Sequence, residues 1–347
     1  MKTVATEECT CGTVPQVRLV NTSGAAVTLG GIGAAIMAVE VPDRNGKLAD
    51  VTIGYADTAD YMADGPAAGK IPGRYANRIA KGHFTLDGTE YTLPINNGPN
   101  SLHGGPEGFH NQIWKLLDSS DDTALFEYVS ADGEMGYPGT LTARALYRWT
   151  DSNELQLTLT ATTDKPTVVN LTNHAYWNLA GHNSGCVLAH ELELRARCYL
   201  PTDPFLVPTG ELAPVEGTPM DFTTPKTIGR DIKEPFDALK FGKGYDNCWV
   251  LPHTEGIQLA ARLTEAGSGR TLEVLTDQPA VQVYTGNWLS GCPKGKNGAE
   301  YHDYDAVAIE CQNYPDAPNR PDFPDSTLRP GQTYCRNIVY RFGIERK

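Results

Sequence analysis

The sequence has no long apolar run, no excess of basic residues and no paired cysteine motif, and each absence excludes a class of protein. No stretch approaches the roughly 20 apolar residues of a membrane-spanning helix, so no membrane partner is expected. The 29 Lys and Arg residues face 42 acidic ones, and a formal net charge of −13 argues against nucleic acid as a partner. Residues 1–15 contain one lysine and no apolar block, so no secretion signal is predicted.

Metal and cofactor motifs are also missing. The eight cysteines show no CxxC pair, which in a chain of 347 residues predicts reduced thiols and a cytoplasmic protein. The eight histidines show no HxH or HxxxH spacing, so no metal site is predicted. Residues 30–36 lack the third glycine of a dinucleotide fingerprint and leave no room for a helix before Pro42. We therefore expect no cofactor.

The sequence is rich instead in short alternating segments separated by turn residues. Residues 155–163 place three leucines on one face, and Asp87-Gly88 between the halves of residues 83–93 is a strong hairpin signal. The segments that predict strands are 17–20, 26–29, 51–55, 83–93, 141–149, 155–163, 187–200, 258–263, 272–276, 281–285, 306–309 and 333–342. Short helices are expected only at 57–62 and 231–239.

These patterns predict an all-β fold made of one large antiparallel β-sandwich. The single domain is expected over residues 17–347, after a flexible N-terminal tail over residues 1–16. Cys9 and Cys11 fall in that tail, and no role is assigned to them.

Residues 167–180 have the clearest functional pattern. Read as one strand, they place Val169, Leu171, Asn173, Ala175 and Trp177 on one face and Asn170, Thr172, His174 and Tyr176 on the other. A face of hydrogen-bonding groups and flat rings suits the floor of a groove for a hydroxyl-rich ligand. For His174 alone, a solvated face with a satisfied histidine remains the alternative.

Two loops carry further candidates. Asn77 and Arg78 form an adjacent pair among small and apolar residues, which favours a grip on a polar ligand, although a lone arginine is usually a surface charge. His103 is followed by two glycines that allow the backbone to approach another group closely.

Glu310 ends the apolar segment 306–309, where a carboxylate is costly to bury without a partner. The two outcomes to weigh are a raised pKa with a catalytic purpose and a structural ion pair with Arg78 or Arg320. If Glu310 converges with His174, His103 and Arg78, the groups suffice to interconvert sugar anomers, because that reaction needs only a base and an acid.

Seven segments, taken in order, are similar to one known family: GRYANRIAKG (73–82), NSLHGG (100–105), NLTNHAYWNL (170–179), LPTD with PTG (200–203 and 208–210), YD (245–246), QVYTG (282–286) and IECQ (309–312). With them the chain resembles the galactose mutarotase (aldose 1-epimerase) family over residues 17–342. The resemblance implies a mutarotase-like β-supersandwich and an isomerase of free aldohexoses such as galactose and glucose. A monomer or homodimer is expected.

The resemblance further implies roles for single residues. Glu310 matches the general base at the anomeric hydroxyl, His174 the general acid at the ring oxygen, and His103 an assisting group there. Four residues match sugar-binding positions: Asn77, Arg78, Asp246 and Gln282. Trp177 and Asn247 depart from the family pattern, where phenylalanine and histidine are common, and this leaves the preferred sugar open.

Four other functions are weighed. A sugar-binding protein without activity would most easily have lost Glu310 or His174, and both are present. A hexose-phosphate epimerase should place more basic residues than Arg78 and Arg74 near the groove. A glycoside hydrolase would need a second carboxylate, for which Asp246 is the candidate. A metal-dependent isomerase lacks the histidine spacing.

Overall fold

The computed structural model describes residues 1–9 and 12–345. Cys11 lies outside the described residues, as does the side chain of Cys9. The cysteines whose side chains are described carry free thiols, namely Cys186, Cys198, Cys248, Cys292, Cys311 and Cys335. Within the described ranges, no helix is long and apolar enough to cross a membrane.

Strands dominate the chain. The N-terminal part contains β1 (Lys2–Cys9), β2 (Gly12–Val20), β3 (Ala26–Gly30), β4 (Ala35–Pro42), β5 (Leu48–Asp50), α1 (Thr58–Met62), β6 (Arg78–Ile79), β7 (His83–Leu86), β8 (Thr89–Thr92) and β9 (Ser101–Leu102). The middle contains β10 (Lys115–Ser119), β11 (Thr123–Ser130), β12 (Leu141–Trp149), β13 (Glu154–Thr163), β14 (Thr167–Val168), β15 (Tyr176–Trp177), β16 (Glu191–Leu194), β17 (Cys198–Leu200), β18 (Ala213–Pro214) and β19 (Lys226–Thr227). The last part contains α2 (Asp237–Gly242), β20 (Asp246–Val250), β21 (Gln258–Thr264), β22 (Arg270–Thr276), β23 (Ala280–Tyr284), β24 (Val307–Gln312), β25 (Thr327–Leu328) and β26 (Tyr334–Ile344). Short 3-10 turns lie at Ala80–Gly82, Phe109–Asn111, Glu134–Gly136, Lys296–Gly298 and Ala317–Asn319.

Two large antiparallel sheets form the body of the fold. One has nine strands in the order β10-β11-β12-β13-β26-β22-β21-β16-β19, and the other has six in the order β15-β24-β23-β20-β17-β18. Strands β1 to β5 form a third sheet in sequence order. The prediction of an all-β sandwich is confirmed.

Side chains alternate along each strand of the six-stranded sheet, so one face of the sheet packs in the core and the other can form a site. On β24 the odd-numbered residues, Val307 and Ile309, belong to the same buried apolar cluster as Leu155 and Leu157 of the nine-stranded sheet. Burying one such side chain contributes roughly 1.5–3 kcal/mol, so this layer fixes the sandwich. The even-numbered residues of β24, including Glu310, point to the opposite face because successive side chains alternate. The functional site is built on that face.

Residues 1–16, expected as a flexible tail, contain β1 and part of β2. The two strands pair from Lys2 with Leu19 to Cys9 with Gly12. Long-range contacts that the local sequence does not reveal attach β1 to the fold, since the Glu7 carboxylate accepts hydrogen bonds from Thr58 N–H at 3.0 Å and Thr58 Oγ1 at 2.6 Å. The domain boundary at residue 17 falls within β2. The single domain over residues 17–347 stays a prediction.

The single strand predicted over 167–180 is wrong. Only Thr167–Val168 and Tyr176–Trp177 are strands, and they belong to different sheets. The Asn173 side chain bonds backbone groups that would otherwise be free for pairing with a neighbouring strand. Its Nδ2 donates to Gly69 O at 2.7 Å, and its Oδ1 accepts from Ala175 N–H at 2.9 Å.

Other boundaries also differ from the sequence prediction. Residues 51–55 form only isolated bridges, because Thr52 bonds the Tyr176 carbonyl through its hydroxyl instead of joining a ladder. Residues 187–200 split into β16 and β17, which lie in different sheets. The second helix begins at Asp237 rather than at residue 231. The helix expected at 57–62 is confirmed, with Asp57 accepting from Asp60 N–H as its N-cap.

Candidate active site

Glu310 lies inside β24 rather than at its end, because the strand continues to Gln312. It stands opposite Gln282 of β23 and is 1% exposed. Its Oε2 atom has no hydrogen-bond partner among the described residues. The structural ion pair that the sequence left open is not formed, since Arg78 pairs with Asp246 and Arg320 with Asp316.

His174 faces Glu310 from the irregular stretch before β15. Its Nε2 atom lies 3.5 Å from Glu310 Oε1, and both side chains are buried. The backbone of His174 is fixed on both sides, since its N–H donates to Lys70 O at 2.8 Å and its carbonyl accepts from Gly69 N–H at 3.0 Å. The ring stacks on Tyr176, with centroids 4.8 Å apart. The site therefore holds a preformed carboxyl–imidazole pair.

His103 completes a group of three titratable side chains. It follows β9 and has a left-handed backbone, with φ of 55°. Its Nδ1 atom accepts from Asn77 N–H at 3.1 Å, so the neutral ring carries its hydrogen on Nε2. Its ring centroid lies 5.3 Å from that of His174.

Gly104 shows why glycine follows His103. Its φ is +85°, and a Cβ atom there would lie 2.0 Å from the Gly73 carbonyl oxygen. The sequence predicted that the backbone after His103 comes close to another group. That group is Gly73, at the start of the segment that leads to Asn77 and Arg78.

The four predicted sugar-binding residues form one hydrogen-bonded group at the site. Arg78 Nη2 lies 3.4 Å from Asp246 Oδ2, and Gln282 Nε2 donates to Asp246 Oδ1 at 2.6 Å. Asn77 Oδ1 accepts from Arg78 N–H at 2.8 Å. Arg78 Nε also donates to Asn97 Oδ1 at 3.0 Å, a neighbour that the sequence did not single out.

A cavity of about 650 Å³ brings these residues together. Six of the seven predicted residues line it: Asn77, Arg78, His103, His174, Asp246 and Glu310. Gln282 is not part of the lining; its Nε2 atom donates to Asp246, and it is the cross-strand neighbour of Glu310. Of the polar face predicted over 170–176, His174 and Tyr176 line the cavity. Asn170 instead bonds backbone groups such as Asn313 N–H, and Thr172 is buried elsewhere.

Besides Tyr176, which the sequence pattern predicted, aromatic side chains that sequence reasoning did not single out line the cavity, among them Phe205, Tyr284 and Trp288. Tyr284 lines the cavity on the same sheet face as Gln282 and is largely buried. Phe205 and Trp288 also line it but are 57% and 64% exposed, so they lie on its solvent side. Flat apolar rings suit the faces of a sugar ring. Only the QVYTG motif pointed to one of them, and nothing in the sequence distinguishes an exposed aromatic from a core one.

Burial shifts the two facing groups in opposite directions. It raises the pKa of Glu310 well above its usual value, with the Asp246 charge adding to the rise and Arg78 opposing it. Burial lowers the pKa of His174 to about 4 and that of His103 well below its usual value. Both shifts favour the arrangement in which the pair holds one proton on Glu310 and the His174 ring is neutral.

His103, His174 and Glu310 also have the residue types of a metal site, with ligand atoms within 4.8 Å of one another. They come from three separate segments, so a search for sequence spacing cannot find them. The Asn77 N–H occupies the lone pair of His103 Nδ1, which leaves the hydrogen on Nε2. A metal at Nε2 would require that hydrogen bond to be given up, so the geometry fits proton transfer better than coordination.

The fold and this cavity define a β-sandwich protein with an acid–base site in a hydrogen-bonding groove. The family model described as aldose 1-epimerase matches residues 15–341. The galactose mutarotase of Sus scrofa is 45% identical over 314 residues, covering 90% of this chain and 89% of that protein. The aldose 1-epimerase of Escherichia coli K12 is 40% identical over 329 residues, covering 94% of each chain.

Solved structures agree. An aldose epimerase homologue from C. elegans has a TM-score of 0.89 at 32% identity, covering 99% of this chain and all of the other. A galactose 1-epimerase from Lactobacillus acidophilus has a TM-score of 0.87 at 26% identity, covering 100% and 99%. The chain belongs to the aldose 1-epimerase family. The family, the isomerase class and the mutarotase function predicted from the sequence are thereby confirmed.

Proposed function

We propose that the protein interconverts the α and β anomers of free aldohexoses such as galactose and glucose, with Glu310 as general base and His174 as general acid. The observation that carries this proposal is the buried pair itself, with Glu310 Oε1 and His174 Nε2 3.5 Å apart in a cavity of hydrogen-bonding side chains. A base and an acid on one sugar can act on the anomeric hydroxyl and the ring oxygen together.

The reaction requires the Glu310–His174 pair to carry one proton in total, before and after each step. For ring opening, the Glu310 carboxylate takes the proton of the anomeric hydroxyl while the His174 imidazolium gives a proton to the ring oxygen. The bond between C1 and the ring oxygen breaks, and C1 becomes an aldehyde. After rotation about C1–C2, His174 takes the proton back from the hydroxyl and Glu310 returns one to the aldehyde oxygen as the ring closes.

The intermediate leaves the proton on Glu310 and neutral imidazole on His174. That arrangement is the one that burial favours, since burial raises the pKa of Glu310 and lowers that of His174. Ring opening therefore relieves the cost of holding a carboxylate and an imidazolium in a buried site. One shared proton serves the whole cycle.

The remaining residues bind and orient the sugar. His103 offers its Nε2–H as a further donor at the ring oxygen, because its Nδ1 is held by Asn77 N–H. Arg78 and Asp246 present a donor and an acceptor to ring hydroxyls, and Gln282 holds Asp246 in place. Asn77 fixes Arg78 through its side-chain oxygen.

The charges of the cavity favour a neutral sugar over a phosphorylated one. Among the described residues that line it, Arg78 is the only Lys or Arg, and Asp246 already pairs with it. Arg74, the other basic candidate, is 1% exposed and donates to backbone oxygens such as those of Pro138 and Gly139 outside the lining. A phosphate dianion would meet no free cation there.

Polarimetry on fresh α-D-galactose and α-D-glucose tests the proposal. We expect the protein to speed the decay of optical rotation far above the buffer rate and to leave α-D-galactose 6-phosphate close to that rate. Sugar binding without any acceleration would favour a binding protein, and strong acceleration with the phosphate would overturn the argument from charge.

Two further expectations belong to this proposal. We propose that the chain acts as a monomer or homodimer in the cytoplasm; the location is supported by eight cysteines without a CxxC pair. Light scattering coupled to size-exclusion chromatography measures the first, and fractionation of the source cells measures the second.

A further inference from the structure

A cluster of buried polar atoms beside Glu310 has no hydrogen-bond partner in the described part of the chain. The side chains that carry them are at most 3% exposed: Thr172, Gln282, Glu310 and Gln312. The five unpaired atoms are Thr172 Oγ1, Gln282 Oε1, Glu310 Oε2 and both polar atoms of the Gln312 amide. The large majority of buried side-chain polar atoms in proteins are paired, either with protein groups or with ordered water. Five unpaired atoms in one place therefore favour a small bound molecule.

Strand register makes three of these side chains neighbours. Glu310 of β24 stands opposite Gln282 of β23, and Gln312 stands opposite Ala280. Successive side chains alternate along a strand, and Cys311, between the two β24 residues, packs in the core of the sandwich. Gln312 is therefore the residue that follows Glu310 on the face that carries the site.

Thr172 reaches the same place from the segment that carries His174. That segment contacts β24 on both sides of Thr172, because His174 Nε2 lies 3.5 Å from the general base and Asn170 Oδ1 accepts from Asn313 N–H at 2.8 Å. Thr172 lies midway between these contacts, level with Gln312. The residue before Thr172 belongs to the core cluster, so the Thr172 side chain lies on the opposite side, with Gln312.

Small side chains flank this cluster. Ala280 lies opposite Gln312, and Cys248 lies opposite Gln282. Short side chains beside long ones favour space for a molecule of the size of water, and a buried water usually bonds about three otherwise unpaired polar groups. Neither Gln312 nor Thr172 lines the cavity, so this molecule would lie behind Glu310 rather than among the sugar-binding groups.

Water has the donors and acceptors that the cluster requires. The Glu310 carboxylate and Gln282 Oε1 can only accept, Gln312 Nε2 can only donate, and the Thr172 hydroxyl can do either. A water molecule can donate to Glu310 Oε2 and Gln282 Oε1. It can accept from Gln312 Nε2 and from the Thr172 hydroxyl. Four of the five unpaired atoms are then paired through one molecule.

We propose that Gln312 is a positioning residue for Glu310, acting through a buried water molecule that it holds against Glu310 Oε2 together with Thr172 and Gln282. Holding Oε2 fixes the plane of the carboxyl group and keeps Oε1 on the side of His174. The catalytic part of this inference rests on the proposed function. The bound water does not, because it is present without sugar.

The first test is a pair of high-resolution crystal structures without sugar, of the wild type and of Gln312→Met. Methionine has a similar length and volume but cannot pair with water as an amide does. The wild type should contain an ordered water within about 3.2 Å of both Glu310 Oε2 and the Gln312 amide, and the variant should lack it. No ordered density there, a metal ion, or a direct bond from Gln312 to a protein group would overturn the inference.

The second test compares activity with stability, by polarimetry over a range of galactose concentrations and by thermal unfolding. Gln312→Met should lower kcat about tenfold or more, because a hydrogen bond to a charged carboxylate is lost. KM should stay within about twofold, since the groups that bind ring hydroxyls are unchanged. The melting temperature should not fall, because the amide atoms that are removed have no protein partner.

Gln278→Met is the matched control. Gln278 is also buried and lies outside the cavity lining, but its Nε2 donates to Leu171 O at 3.0 Å and to the Tyr334 hydroxyl at 3.2 Å. The same substitution there breaks bonds within the protein, so it should lower the melting temperature and keep kcat.

A wild-type kcat in Gln312→Met would overturn the inference. A fall in kcat of equal size in Gln278→Met would also overturn it, because general destabilisation would then explain the loss. If the wild type shows no mutarotation while its crystal structure contains the water, the proposed function fails and the bound water stands. An active wild type without the water would leave the proposed function intact and refute the role of Gln312.

Discussion

Asp246 offers the sharpest single test of how the cavity recognises sugar. Its two oxygens accept from Gln282 Nε2 at 2.6 Å and from Arg78 Nη2 at 3.4 Å. Asp246→Asn keeps the volume of the side chain but removes its charge, and it turns one acceptor into an NH2 donor. That donor cannot face Arg78, which is itself a donor; if it faces Gln282, the Gln282 amide must turn over so that its Oε1 accepts. In either orientation the charge that Asp246 presents to Arg78 and to a ring hydroxyl is lost.

The size of the effect follows from the interaction lost. A hydrogen bond to a charged group contributes about 1.5–3 kcal/mol, and each 1.4 kcal/mol is a factor of ten. Losing one such bond to a ring hydroxyl predicts a fall of about 10- to 150-fold in kcat/KM. The pKa of Glu310 should fall as well, because the Asp246 charge raises it and the Arg78 charge, which remains, lowers it.

Polarimetry over a range of galactose concentrations and pH values measures both effects. The control is Asp231→Asn, because Asp231 also pairs with cations, Lys226 and Arg230, but lies outside the cavity. The control should keep its kcat/KM. An Asp246→Asn protein with wild-type kcat/KM and an unchanged alkaline limb would refute the role given to Asp246.

Two further predictions concern pH and backbone. The pair must hold one proton, so the wild-type kcat/KM should fall below about pH 4, where His174 takes up a second proton, because burial lowers its pKa. It should fall again at higher pH, where Glu310 loses the shared proton, and this limb should lie above the usual carboxyl range because burial raises the pKa of Glu310. An acid limb near pH 6.5 would contradict the lowered pKa of His174. Gly104→Ala should destabilise the fold by roughly 2–5 kcal/mol in urea unfolding and lower activity through His103, because it adds a clash to a left-handed backbone. Gly88→Ala, with φ of +78° and no atom within 4 Å, should cost only about 1 kcal/mol, and equal costs would refute the clash.

Local patterns predicted most of the large elements of the fold. The leucines of residues 155–163 alternate as β13 requires, and Asp87-Gly88 forms the turn between β7 and β8. Where the prediction failed, a distant partner decided the outcome. Glu7 attaches β1 to Thr58, and Asn173 bonds Gly69 in place of a strand ladder. Such contacts join residues about 50 and 100 positions apart, so local sequence does not reveal them.

Six of the seven residues that the sequence predicted for the site line the cavity, but the sequence did not predict how they contact one another. Glu310 and His174 stood out because a buried carboxylate and a histidine on a mixed polar stretch are unusual, and the structure places them 3.5 Å apart. Gln282 was predicted to bind sugar; it donates to Asp246 and is not part of the cavity lining, and its sugar-binding role stays a prediction.

The most direct test of the central claim is polarimetry of the wild type beside Glu310→Gln, with galactose binding to both measured by calorimetry. The amide keeps the shape of the side chain but cannot take the anomeric proton. We predict that Glu310→Gln binds galactose with similar affinity and leaves the rotation decaying within a few-fold of the buffer rate. A Glu310→Gln protein that accelerates mutarotation as the wild type does would contradict the assignment of the base.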